Sequence, residues 1–246
     1  MWIITETSRG DQRMHKHRPA EMKQEPLILT VPDVEDHGPR HWQNLWEQQL
    51  GDCHRVDLGS WDEIHRNNWV NKLNHAIYRA GRPVILVAHG VGSLVLAWWA
   101  KLEPPAPDRQ VAGALLVAPP EVDFFPSDER FSKFAPTPAL ELPFPSILVA
   151  SRNDPQISFL AARRLARIWG SRFVDAGEAG HMDGKADLGG WRLGQKLLGK
   201  LINGYKFSRG DHHSDVARDA AGVSRFAHGR EAPAARPEAR GLIGFA

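Results

Sequence analysis

The run Pro83-Val-Ile-Leu-Val-Ala88 constrains this chain more than any other feature. An unbroken β-branched apolar stretch suits a strand buried on both faces, the situation of an inner strand in a parallel sheet covered by helices. Shorter runs of the same kind recur at Leu27–Val31, near His54–Leu58, at Val111–Ala118, at Ser146–Ser151 and at Arg172–Asp175. Between them the apolar residues change to helical spacing. Trp42, Leu45, Trp46 and Leu50 mark one helix, and Trp69, Leu73, Ile77 and Tyr78 a second. Leu94–Leu102 is a third, ended by Pro104-Pro105; Phe159, Ala162, Leu165 and Trp169 line a fourth, and Trp191–Ile202 is the last. Strand and helix alternating in this way predict an α/β domain with a mostly parallel sheet and helices on both faces, in three layers.

The domain so defined spans residues 25–204. Residues 119–143 are rich in Pro and Phe without a clean period and read as a loop packed over one end of the sheet. Residues 1–24 read as a mobile N-terminal extension and lack the apolar core of a signal peptide. Residues 205–246 turn to Gly, Ala, Arg, Asp and His without periodicity and read as a disordered C-terminal tail. The 246 residues, 42% of them hydrophobic, suffice for one full core. A formal net charge of +2 gives little reason to expect nucleic acid, and no apolar run approaches the roughly 20 residues of a membrane helix. Cys53 is the single cysteine, so no intrachain disulfide forms, and a cytoplasmic location is the expectation.

In an open parallel sheet, chemistry collects at the carboxyl ends of strands. Three such ends carry distinctive residues: Val87-Ala-His-Gly-Val-Gly-Ser93, Ser151-Arg-Asn-Asp-Pro155 and Glu178-Ala-Gly-His181. Seven phrases occur in order across roughly residues 27–202. They are His41-Trp-Gln, Ala88-His89-x-x-Gly92, Val117-Ala-Pro-Pro120, Phe134-Ala-Pro136, Leu142-Pro-Phe-Pro-Ser146, Ala150-Ser-Arg-x-Asp-Pro155 and Ala179-Gly-His181. Together they resemble the small serine hydrolases of the α/β-hydrolase fold, the group of retinoblastoma-binding protein 9 and its bacterial relatives. That resemblance implies hydrolysis of a small carboxylic ester or amide by a Ser-Asp-His triad, with Asp154 as the acid and His181 as the base. It implies no cofactor and no metal. The backbone N–H groups of Val34 and Val91 would form the oxyanion hole, His89 would order the turn, and Trp42 would wall the pocket.

At two places the chain departs from that pattern. The turn that should carry the nucleophilic serine carries Gly90, which has no side chain to acylate. Ser93 falls a helical turn away, where capping is its ordinary role, and Thr30 and Ser151 at other strand ends are no better placed. The loop after the first strand, Gly-rich in the family, reads Asp33-Val-Glu-Asp-His37. A carboxylate about 6 Å from an oxyanion, at an effective dielectric of about 20, opposes it by roughly 3 kcal/mol. A typical oxyanion donor contributes roughly 3–4 kcal/mol, so the opposition is comparable.

For Asp154 the bland alternative is helix capping before Pro155, whereas His181 after a glycine is a poor core residue and favours a site role. His212-His213 and His228 lack metal-ligand spacing. Three readings follow: an impaired ester or amide hydrolase, a non-catalytic protein that binds a ligand or partner through the old pocket, and direct water activation by a His181–Asp154 pair.

Overall fold

In the computed structural model, residues 25–34, 38–60, 64–103, 111–124 and 126–222 are described, with side chains as far as Ser208. Six strands form one sheet in the order β2-β1-β3-β4-β5-β6. They are β1 (Leu27–Val31), β2 (Cys53–Arg55), β3 (Val84–His89), β4 (Val111–Val117), β5 (Ser146–Ala150) and β6 (Arg172–Asp175). Every neighbouring pair is parallel. The helices are α1 (Trp42–Gln49), α2 (Arg66–Arg79), α3 (Val91–Leu102), α4 (Phe159–Ile168) and α5 (Arg192–Gly222).

β3 shows why the sequence folds this way. All six of its residues are buried, and the five apolar ones divide by period two between two cores. Val84, Leu86 and Ala88 face the core built with Trp69, Leu73 and Ile77 of α2, Leu94 and Trp98 of α3, and Leu165 of α4. Ile85 and Val87 face the other, with Trp42 and Trp46 of α1 and Leu197, Leu198 and Leu201 of α5. Both faces are therefore covered, as the β3 run requires.

The differences from the sequence expectation are local. The second strand is only Cys53–Arg55 rather than a segment reaching Leu58. Tyr78 is 61% exposed, because it lies off the stripe formed by Trp69, Leu73 and Ile77. The loop 119–143 contains a short 3-10 helix, Glu129–Phe134, that buries Phe131 and Phe134. The last helix continues as helical backbone to Gly222, beyond Tyr205. The chain divides into two compact units at that point, Met1–Tyr205 and Lys206–Ala246, and the first contains the sheet. The proposed N-terminal extension, residues 1–24, and the part of the proposed tail after Gly222 lie outside the described residues.

Candidate functional site

The strand order reverses between β1 and β3: the chain leaves β1 towards β2 on one side and returns to β3 on the other. Such a switch point opens a crevice at the carboxyl ends of the two strands. Val31 of β1 lies opposite Ala88 of β3, so Pro32-Asp33 and His89-Gly90 leave the sheet side by side. Gln43 ties the two strand ends together, its side-chain amide donating to the carbonyls of Val31 at 3.3 Å and Val87 at 3.0 Å.

Two glycines make the close approach possible. Gly90, the N-cap of α3, has φ 53° and ψ −128°, which a residue with a side chain adopts only under strain. A Cβ on Gly92 would lie 2.5 Å from the Val31 carbonyl oxygen and 2.6 Å from that of Pro32. Only glycine lets the first turn of α3 settle onto the end of β1.

The residue brought up to that turn is Asp33, which is 2% exposed. Its Oδ1 accepts the N–H of Val34 at 2.8 Å and the N–H of Val91 at 2.8 Å. Val91 is the first residue of α3, so the carboxylate also sits at the positive end of the helix dipole. A Cβ built on Gly90 would collide with the carboxyl group of Asp33. The other carboxyl oxygen, Oδ2, faces Nε2 of His181 at 3.4 Å.

His181 stands on the loop after β6, and its Nδ1 lies 3.0 and 3.1 Å from the two carboxyl oxygens of Asp154, which follows β5. Asp154 Oδ1 also accepts the N–H of Gln156 at 2.9 Å, closing an Asx turn. The N-cap of α4 is Ser158, so Asp154 is not the cap of that helix. The His181 loop is fixed from several sides. Ser151 Oγ accepts from Ala179 N at 2.8 Å, Asn153 Oδ1 accepts from Gly180 N at 2.8 Å, and His89 Nε2 donates to the His181 carbonyl at 2.9 Å.

These neighbours set the charge of His181. Burial disfavours its cationic form, but hydrogen bonds and charge from Asp154 and Asp33 outweigh burial and raise its pKa to about 9. At neutral pH the imidazolium is therefore held between two carboxylates and has no lone pair with which to accept a proton.

Gly90, Asp154, His181, Val34 and Val91 thus converge at one edge of the sheet. His89 lies beside them, its ring 5.1 Å from that of His181. Trp42 does not line the adjoining cavity. Its indole N–H donates to Met182 O at 2.9 Å, and its ring packs on Trp46 at 5.0 Å and Trp191 at 4.7 Å, so it braces the loop of His181 instead. That cavity, of about 270 Å³, is lined among others by Asp33, Val34, Phe131, Pro155, Gln156 and Lys185.

The other hydroxyls are engaged elsewhere. Ser93 Oγ is buried and donates to Ala88 O at 3.4 Å, Thr30 Oγ1 donates to Glu47 at 2.6 Å, and Ser151 Oγ donates to Asn153 at 2.7 Å. Burial, with the charge of Glu47 next, raises the Cys53 thiol to about 12, which leaves it without thiolate character. Among the described residues no cluster of His, Cys, Asp and Glu is arranged to hold a metal ion, and no helix is long and apolar enough to cross a membrane.

The sequence reading placed a carboxylate near the expected oxyanion donors but did not find that Asp33 is their acceptor. Glu35 and Asp36, the other carboxylates of that loop, lie outside the described residues. Gln43 was also missed as a clamp, although it stands inside the phrase His41-Trp-Gln. The acidic loop in a place expected to be Gly-rich was the available signal.

A parallel six-stranded sheet with helices on both faces, a positive-φ turn after β3 and an acid and a histidine after β5 and β6 define an α/β-hydrolase. A serine hydrolase profile matches residues 28–200, and the chain belongs to the serine hydrolase family. A YdeN-like hydrolase of Pectobacterium atrosepticum is 30% identical, with a TM-score of 0.65 over 74% of this chain and 92% of that one. The ydeN gene product of B. subtilis is 13% identical, with a TM-score of 0.60 over 72% of this chain and 99% of that one. Esterase 2 of Thermogutta terrifontis shares the fold at 15% identity, with a TM-score of 0.56 over 75% of this chain and 86% of that one. No curated protein matches the chain.

Proposed function

We propose that this protein has the architecture of a small carboxylic ester or amide hydrolase, acting on a small-molecule substrate, in which serine-type acyl transfer has been lost. Asp154 and His181 correspond to the acid and base of the triad, Gly90 to the position of the nucleophile, and Val34 and Val91 to the oxyanion donors. The observation that carries the reading is the placement of the Asp33 carboxylate. Its Oδ1 takes both donor N–H groups, so a tetrahedral acyl intermediate would have no vacant place for its oxyanion. Its carboxyl group fills the space a side chain at position 90 would enter.

Water activation by His181 in the resting protein is disfavoured for a separate reason. An imidazolium is an acid, and a pKa of about 9 leaves little free base at neutral pH. The experiment is labelling with a fluorophosphonate probe alongside p-nitrophenyl acetate turnover. The expected result is no covalent label and no turnover above that of a His181→Ala variant. Labelling at a hydroxyl, or turnover that depends on His181, would overturn the reading. Ligand binding without turnover would favour the non-catalytic pocket.

A further inference from the structure

We propose that the outer face of the α2–α3–α4 layer docks on a surface of anionic phospholipid. The layer lies away from the strand-end crevice, so the proposal does not depend on what that crevice does. α2, α3 and α4 cover one face of the sheet, and together they hold seven Lys and Arg residues and no Asp or Glu. Their inward stripes are apolar, which leaves the charged side chains to the outside. A cation in the last turn of a helix complements the helix dipole, and that accounts for Arg79, Lys101 and Arg167 one by one. It does not account for their company. Arg66 Cζ and Lys101 Nζ lie 4.0 and 4.8 Å from the centroid of the same ring, that of Trp98, so two cations share one indole.

The exposed apolar side chains gather on the same layer. Among the described residues six large apolar side chains are exposed, and four of them, Tyr78, Leu102, Leu160 and Ile168, belong to these three helices. Tyr78 precedes Arg79, Leu102 follows Lys101 and Ile168 follows Arg167, so each helix ends on an exposed apolar residue beside a cation. Each helix returns the chain from one parallel strand to the next, so the three ends lie at the amino edge of the sheet, opposite the crevice. α4 carries the pattern along its length. Ala162, Leu165 and Ala166 face the core, which leaves Leu160, Arg163, Arg164, Arg167 and Ile168 on the outer stripe at helical spacing. At the border of the layer Glu103 is the C-cap of α3, Glu141 lies against Gly170, and Asp175 is already paired with Arg152 at 2.7 Å. A positive excess therefore remains.

The charge makes the partner an anion, and the apolar side chains decide which kind. A nucleic acid offers phosphates to arginine but no apolar region along its backbone for Leu160 and Ile168. An anionic bilayer offers phosphates to the arginines and, just beneath them, acyl chains to the leucine and isoleucine. Each cation near such a surface strengthens binding roughly fivefold, an effect confined to about a Debye length. α5, on the opposite face of the sheet, supplies an internal contrast. Arg192, Lys196 and Lys200 make it basic, but none of the exposed large apolar residues lies on it before Tyr205. Docking through the α2–α3–α4 layer leaves the crevice at the carboxyl edge uncovered.

The test is co-sedimentation of the full-length protein with vesicles of mixed phosphatidylglycerol and phosphatidylcholine, and with vesicles of phosphatidylcholine alone, at about 0.1 M salt. The expected result is binding to the mixed vesicles that is at least about tenfold tighter than to phosphatidylcholine and weakens as salt rises. Arg164→Glu/Arg167→Glu should weaken it by at least about 10²-fold. Leu160→Ser/Ile168→Ser, which leaves the charge unchanged, should weaken it by at least about tenfold. Lys196→Glu/Lys200→Glu makes the same change of charge on α5 and should alter binding by no more than about threefold. All six residues are exposed, and an unchanged Tm checks that each variant is folded. Absence of a preference for the anionic vesicles overturns the proposal. Equal weakening by the α4 and α5 reversals also overturns it, since net charge alone would then explain the binding. Unchanged binding by Leu160→Ser/Ile168→Ser, with random-sequence duplex DNA displacing the vesicles, would assign the surface to nucleic acid instead.

Discussion

The site has two sides, and they have been treated differently. On the side of β5 and β6, Asp154 and His181 form a hydrogen-bonded pair whose loop is tied down by Ser151, Asn153 and His89. On the side of β1 and β3, the turn is a glycine at φ 53° and the space above it holds a carboxylate from the neighbouring strand end. In the proposed reading these are the acid–base side and the nucleophile side. The nucleophile side keeps its two backbone donors but fills them from within, through Asp33. The difference teaches that two backbone donors and a histidine–acid pair can be bridged by a carboxylate from a neighbouring strand end. It also couples the sides electrostatically, because Asp154 and Asp33 both raise the pKa of His181.

Removing the shared cation should have the largest effect. His181→Ala leaves Asp33 and Asp154 buried without their positive partner, and a loss of about 3–5 kcal/mol is expected in urea unfolding at neutral pH. A loss below about 1 kcal/mol would mean that the two sides are not coupled through His181.

The next effect concerns the crowded turn. Gly90→Ser should cost about 3–4 kcal/mol: roughly 1–2 for a side chain at positive φ, and the rest for pushing the Asp33 carboxylate off its donors. In an Asp33→Gly background only the backbone strain remains. The same substitution should then cost about 1–2 kcal/mol, and the double-mutant cycle reports the difference.

A comparable but smaller effect should follow pH. His181 has a pKa raised from 6.5 to about 9 in the folded state. Its contribution, on the order of 3 kcal/mol, is therefore fully present below about pH 6.5 and disappears as pH rises through about 9. The Tm should fall across that window in the parent protein. In Asp33→Asn, with one carboxylate gone, the His181 titration followed by NMR should move to lower pH and the loss of stability should begin earlier.

Much of this was legible in the sequence. The β3 run suited an inner parallel strand, and the alternation of strands and helices placed the strand-end motifs at one edge of a sheet. What could not be read was direction. Asp33 follows β1 in an acidic loop, and nothing in the composition of that loop says that its side chain turns inward. That choice is made by tertiary contacts: Gly92 letting α3 approach β1, Gly90 leaving room for a carboxyl group, and two N–H donors waiting there. Trp42 failed as a pocket residue for a related reason, since helical spacing identifies its buried face without saying whether a cavity or another tryptophan lies opposite. Tyr78 missed the buried stripe by a single position, which on a helix is a rotation of about 100°.

The central claim is that Asp33 occupies the place of both the nucleophile and the oxyanion. Turnover of p-nitrophenyl acetate by Gly90→Ser, compared with Gly90→Ser/Asp33→Gly, tests it most directly. The expected result is that the single variant stays near background while the double variant is faster by at least about 10²-fold, the range associated with regaining an oxyanion donor. Equal turnover by the two variants, both folded, would contradict the claim.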